Sequence, residues 1–173
     1  DFLLNIKPGN WAYIGRCLRM LKDISDAHYI FLNDACDVTS CVSLRKGSHI
    51  FQVWHACGAF KKFGMSTAEL IFGSDRKTQE KFPNYRNLSY VTVSSPEIGW
   101  AYEEAMNLKN TDTQIVATGV SRTDVFYDKA FIENAKETVY SVFPQARTKK
   151  IILYAPTFRG RVAKAEAPDR LDI

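Results

Sequence analysis

The chain has 173 residues, 46% of them hydrophobic and 24% charged, with a formal net charge of +4. That length and balance allow one sizeable core and exclude disorder over the whole chain. The mild basic excess suits phosphate-bearing or membrane-surface partners, and no run approaches the ~20 apolar residues that span a bilayer. The sequence begins Asp1-Phe2-Leu3-Leu4-Asn5, with no initiator Met and no leader-like segment, and reads as a piece of something longer. Cys17, Cys36, Cys41 and Cys57 form no C-x-x-C pair and have no metal-ligand spacing to the three histidines. They are expected as reduced, unmetalled thiols of a cytosolic protein.

From Asn10 to about Ile24, Trp11, Ile14, Leu18 and Leu21 recur at three- and four-residue steps, which predicts an amphipathic helix capped by Asn10. His28 to Leu32 is a short apolar run closed by Asn33-Asp34, a buried strand entering a turn. Lys46-Gly47-Ser48 predicts a turn, and His49 to Trp54 the next strand. Two nearly continuous apolar strands favour a parallel sheet covered on both faces. His49 opens its strand on the side away from the expected ligand and is read as structural. Ser66-Thr67-Ala68-Glu69-Leu70 suggests a helix start, and the polar, basic stretch from Ser74 to Asn87 reads as a loop or mobile segment. Within it Lys77, Lys81 and Arg86 are interleaved with Phe82 and Tyr85, a pattern open to a solvated loop or to contact with a membrane surface or an acidic ligand. Tyr90 to Ser94 is a strand. Ser95-Pro96-Glu97 then starts a helix running to about Leu108, with Ser95 as cap and its N-terminus placed to bind an anion. Gln114 to Thr118 is a strand, and Asp128 to Phe143 a helix with Phe131, Ile132, Ala135, Val139 and Val142 on its apolar side. Ile151 to Ala155 reads as a further strand. These alternations predict an α/β fold with a Rossmann-like, doubly wound parallel sheet. The expected division is residues 1–148 as one domain and 149–173 as the start of a second.

Loops at the carboxyl ends of parallel strands converge on one crevice. Here they supply His55, Lys61, Lys62, Ser94, Ser95, Arg122 and Thr157. One histidine among hydroxyls and cations fits a general base acting on a hydroxyl beside cations that hold phosphates. A metal site, a carboxylate dyad and a dinucleotide fingerprint are missing from the pattern, so neither metal nor cofactor is expected. Cys57 as a nucleophile activated by His55 stays open, as does His55 as a structural residue at a strand end, and Arg122 paired locally with Asp124.

Three segments then resemble one known family. They are Trp54-His55-Ala56-Cys57-Gly58-Ala59-Phe60-Lys61-Lys62-Phe63-Gly64, Thr118-Gly119-Val120-Ser121-Arg122-Thr123-Asp124, and Ile152-Leu153-Tyr154-Ala155-Pro156-Thr157-Phe158-Arg159. In that order and spacing they resemble the motifs of the CDP-glycerol glycerophosphotransferases, the bacterial teichoic acid primases and polymerases. The resemblance implies one half of a GT-B architecture, residues 1–148 lying on the acceptor side. It implies transfer of glycerol or ribitol phosphate from CDP-glycerol or CDP-ribitol to a lipid-linked, polyprenyl-diphosphate acceptor. The reaction would take place in peripheral contact with the cytoplasmic face of the plasma membrane. No nucleic-acid partner is expected. The family's Trp-His histidine is proposed as the base for the acceptor hydroxyl, and the matching residue is His55. Trp54, Gly58, Lys61, Lys62, Ser94, Ser95, Gly119, Arg122, Asp124, Thr157 and Arg159 are the corresponding substrate-binding candidates.

The sequence departs from the family pattern in places. Ala56 stands where Gly is frequent, Ser121 and Thr123 where Pro and Asn are common, and Phe158 in place of Trp. The family's downstream His-Pro motif and Ser/Thr-rich loop fall beyond Ile173, so the chain by itself is expected to be inactive. Two other readings of the same crevice stand beside this one. One is a non-catalytic domain that binds a phosphorylated lipid or sugar, the other a GT-B enzyme acting on a nucleotide sugar.

Overall fold

A computed structural model of the protein describes residues 11–70 and 75–156. The chain divides into two compact units, Asp1–Asp124 and Val125–Ile173.

The first unit is built on a four-stranded parallel sheet in the order β1 (Tyr29–Leu32), β2 (His49–Gln52), β3 (Leu88–Val93), β4 (Gln114–Ala117). Period-two alternation sends Ile30, Ile50, Val91 and Val93 to one face. There they form a core with Tyr102, Met106 and Leu108, which arrive on and just after helix α4 (Gly99–Ala105). Each crossover moves the chain one strand further in the same direction, and right-handed crossovers of that kind all fall on one face. The opposite face carries an aromatic row: Phe31 stacks on Phe51 at 5.0 Å and Phe51 on Tyr90 at 4.7 Å. Tyr29 and Phe31 remain 65% and 66% exposed. Cover on both faces, expected from the apolar strands, is therefore not supplied by the described residues of this unit.

Between Ile50 and Phe51 the pairing to β3 slips, so Ile50 faces Leu88 and Phe51 faces Tyr90. The Ile50 N–H is taken up by the Ser89 hydroxyl at 3.3 Å. This bulge is why β3 begins at Leu88, earlier than the run from Tyr90 suggested.

Helix α1 (Trp11–Ile24) forms as expected, but with a different face inward. Met20 is buried, with Tyr13, Cys17 and Ile24 half-buried beside it, whereas Trp11 is 85% exposed and Ile14 and Leu18 also face outward. The apolar arc is wider than one stripe, and of the residues at three- and four-residue steps from Trp11 only Leu21 is half-buried with the packed side. Asn10 lies outside the described residues. Helix α2 (Asp37–Ser40) follows β1.

The Ser66 region is a 3-10 turn, Gly64–Thr67, rather than a helix start. Glu69 at φ +66° stops any continuation. The stretch read as a loop contains helix α3 (Arg76–Lys81). Its cap is Asp75, whose carboxylate accepts from the Thr78 N–H at 2.9 Å and the Thr78 hydroxyl at 2.7 Å.

In the second unit α5 (Lys129–Val142) is capped by Asp128, which accepts the Phe131 N–H at 3.1 Å. Arg147 returns to pair with Glu137 and lies over the Tyr140 ring at 4.6 Å. Phe131, Val139 and Val142 stay exposed. Ile151 to Ala155 forms no strand, because no neighbouring strand among the described residues offers it a ladder.

Candidate functional site

The site grows from the carboxyl end of β2. After Gln52 the Val53 N–H still bonds the Leu32 carbonyl at 2.8 Å, which keeps β2 beside β1. Trp54 then adopts φ +53°, a left-handed conformation that is rare for an aromatic residue. Such strain costs about 1–3 kcal/mol and persists only where the surroundings over-determine it. Here they do. The Trp54 ring is buried, stacked on Phe63 at 4.6 Å and edge-on to Tyr102 at 6.3 Å, and the Trp54 backbone N–H donates to the Gln52 side-chain oxygen at 3.1 Å.

This turn throws the next residue, His55, out of the sheet into an exposed position. Its ring lies along Trp54 at 4.5 Å with 26° between planes. Nδ1 sits 2.8 Å from the Asn33 carbonyl oxygen. A carbonyl only accepts, so this bond requires the proton on Nδ1. In the neutral ring Nε2 then carries the lone pair. Nε2 has no hydrogen-bond partner among the described residues, so the ring is oriented with its basic nitrogen open.

The loop after β4 closes on the same residue. Arg122 Nη1 donates to the His55 carbonyl oxygen at 2.7 Å. Arg122 and Asp124, both exposed, form no ion pair among the described residues. Gly119, at φ +90°, donates its N–H to Val93 O at 3.1 Å and brings this loop against the end of β3. A side chain added at Gly119 would meet nothing within 4 Å, so its backbone faces open space. Ser94 is exposed at the end of β3.

Ser95 occupies the cap position of a 3-10 turn, Pro96–Ile98, that leads into α4, but its side chain does not cap. The hydroxyl beside the Glu97 carboxylate holds that group below the usual carboxylate range. The anion site expected at this helix start thus already has a carboxylate beside it.

Lys61 and Lys62 are exposed. With Phe63, Ser66, Trp100 and Glu104 they line an open cavity of about 250 Å³. The Ser66 hydroxyl donates to Glu104 at 2.6 Å. Gly58 lies under the Phe60 ring, where a Cβ would come within 2.9 Å of the ring edge. Cys57 is exposed and free, and no hydrogen bond joins it to His55. The arrangement gives no support to a thiol nucleophile. Thr157 and Arg159 lie outside the described residues.

Two participants were not selected from the sequence. Asn33 acts through its carbonyl, which no side-chain pattern signals. Gln52 was legible in principle, as an amide set inside an apolar strand between Phe51 and Val53. Among the described residues no group of histidines, cysteines and carboxylates is arranged to hold a metal.

The first unit thus sets one oriented imidazole, hydroxyls and cations at the strand ends of a parallel α/β sheet. The sequence matches the family "CDP-Glycerol:Poly(glycerophosphate) glycerophosphotransferase" over residues 5–172, and the chain belongs to that family. It is 35% identical over 152 residues to the teichoic acid ribitol-phosphate primase of Bacillus spizizenii, covering 88% of this chain and 39% of the relative. It is 34% identical over 122 residues to the teichoic acid glycerol-phosphate primase of Bacillus subtilis, covering 70% of this chain and 30% of the relative. The fold is similar to that of the wall teichoic acid polymerase TagF, with a TM-score of 0.60 at 18% identity, covering 89% of this chain and 36% of that one. The chain thus spans about two fifths or less of the length of these relatives.

Proposed function

We propose that this chain forms the acceptor side of an enzyme that moves glycerol phosphate or ribitol phosphate from a CDP-polyol to a hydroxyl of a lipid-linked acceptor. The observation that carries the reading is the bond from His55 Nδ1 to the Asn33 carbonyl, which leaves Nε2 open and basic. In the reaction the acceptor oxygen forms a bond to the donor's polyol phosphorus. The bond from that phosphorus to the CMP oxygen breaks, and CMP leaves with its electron pair. The acceptor proton passes to His55 Nε2. A positioned base of this kind contributes about 10²–10⁴ in rate, and in-line placement of the hydroxyl adds to it.

Lys61, Lys62 and Arg122 supply the cationic surroundings for phosphates, with Ser94 and Ser95 as hydroxyl partners at the end of β3. Gly58, Gly119 and Asp124 complete the proposed loop surface, and Trp54 fixes the histidine. A peripheral contact with the cytoplasmic leaflet follows from the lipid acceptor. Lys81, 5.3 Å above the exposed Phe82 ring, is the kind of basic–aromatic patch that rests at a headgroup layer.

Release of CMP from CDP-glycerol and CDP-ribitol, followed with a lipid-linked acceptor, tests the proposal. A longer protein carrying this sequence is expected to release CMP with one of the two donors, and the 173-residue chain alone to release none. Absence of CMP with both donors and every acceptor from the longer protein would overturn it.

A further inference from the structure

We infer that Gln52 is a positioning residue for His55, holding both the backbone turn that presents the imidazole and the carbonyl that selects its tautomer. This rests on the reading of His55 as the base, and its structural part can be tested without turnover.

Gln52 is fully buried, at 0% exposure, inside the sheet. A buried carboxamide needs partners for both its ends, and leaving either unmade is strongly unfavourable. Gln52 finds both on the two loops that make the histidine site. Its Nε2 donates to the Asp34 carbonyl at 3.0 Å, on the loop after β1. Its Oε1 accepts the Trp54 N–H at 3.1 Å, on the loop after β2. The first bond anchors the residue next to Asn33, whose carbonyl receives His55 Nδ1 at 2.8 Å. The second pins the residue next to His55 at its left-handed φ of +53°. One side chain therefore spans the two points that fix where the ring stands and which nitrogen is protonated. An apolar residue of the same size would fill the space and hold neither loop. Strand position alone does not require an amide here, since Ile30 and Ile50 serve the same buried face.

The role also explains how a tryptophan occupies a strained conformation. Its N–H cannot continue the β ladder after the turn, and the Gln52 oxygen replaces that lost partner.

The test uses ¹⁵N correlation spectra of the imidazole rings in this chain at about pH 8, where an ordinary imidazole is neutral. In the parent sequence His55 is expected as a single tautomer with Nδ1 protonated and Nε2 unprotonated. Gln52→Met, which keeps the volume and removes both bonds, should give a mixture of tautomers while the strand amides keep their shifts. Gln52→Glu keeps the acceptor for Trp54 and, once its carboxylate is ionised, cannot donate to Asp34, so it should also lose the single tautomer. A His55 that keeps the Nδ1–H form in both folded variants overturns the inference. If neither variant folds, hydrogen exchange in the parent decides. Gln52 carboxamide protons and the Trp54 N–H protected together support the role, and a carboxamide exchanging like a surface glutamine refutes it. In a longer, active protein, Gln52→Met should lower kcat at least 10-fold with KM for the CDP-polyol unchanged. A tautomer result that holds while His55→Ala retains activity separates failure of the base assignment from failure of this one.

Discussion

Arg122 and His55 are 67 residues apart in the chain, yet the guanidinium of one donates to the backbone carbonyl of the other at 2.7 Å. The bond ties the loop after β4 to the loop after β2. One of the five donors of Arg122 is thus committed to holding the histidine's backbone, whatever the others meet. In a longer, active protein, Arg122→Ala is expected to lower kcat by about 10–100-fold, the scale of a lost charge-assisted hydrogen bond. Arg122→Lys should restore only part of this, because an ammonium lacks the planar fork. Steady-state kinetics check it. A rise in KM for the CDP-polyol at constant kcat would make Arg122 a phosphate ligand alone.

Gly64 ends the loop that carries Lys61 and Lys62, at φ +52°. A Cβ there would stand 2.1 Å from the Ala105 carbonyl oxygen. That oxygen belongs to helix backbone and cannot swing aside. Gly64→Ala is expected to destabilise the first unit by at least about 2 kcal/mol, from left-handed strain and overpacking together. Urea unfolding followed by far-UV circular dichroism measures the loss, and an unchanged midpoint would contradict it.

Trp54 joins stability to function, since its buried ring contacts both Phe63 and His55. Trp54→Ala should cost about 3–5 kcal/mol, as for other buried aromatic truncations. Trp54→Phe should keep most of the stability and weaken the stack on His55. The same urea experiment separates the two variants.

Asp75 gives a pH dependence with a definite sign. Hydrogen bonds from the Thr78 side chain and N–H hold its carboxyl below the usual carboxylate range. A group whose folded pKa is depressed contributes stability above its unfolded value and loses it as pH falls through the folded value. Helix α3 should therefore fray in acid, with the Thr78 amide titrating below the ~3.9 of a free aspartate. Asp75→Ser retains a cap without titrating. An amide shift with the same acid midpoint in that variant would contradict the assignment.

The strands were legible because apolar alternation fixes which residues face a core. Ile30, Ile50, Val91 and Val93 are those residues. Helix α3 was missed because its residues are polar and its only marker is the local pair Asp75 and Thr78. In α1 the residues Trp11, Ile14 and Leu18 are as apolar as the packed side, so periodicity alone did not choose the face. The place of His55 at a strand end, beside a loop with two lysines, was legible. Its orientation was not, because Asn33 and Arg122 reach it from 22 and 67 residues away, and each bond ends on a backbone carbonyl that carries no residue signature.

The central claim is that His55 Nε2 takes the acceptor proton. The direct measurement is CMP release by a longer, active protein carrying His55→Gln, compared with its parent under the same CDP-polyol and acceptor. The account predicts a fall in kcat of about 10²–10⁴ with the protein still folded. Undiminished turnover by the folded variant would contradict it.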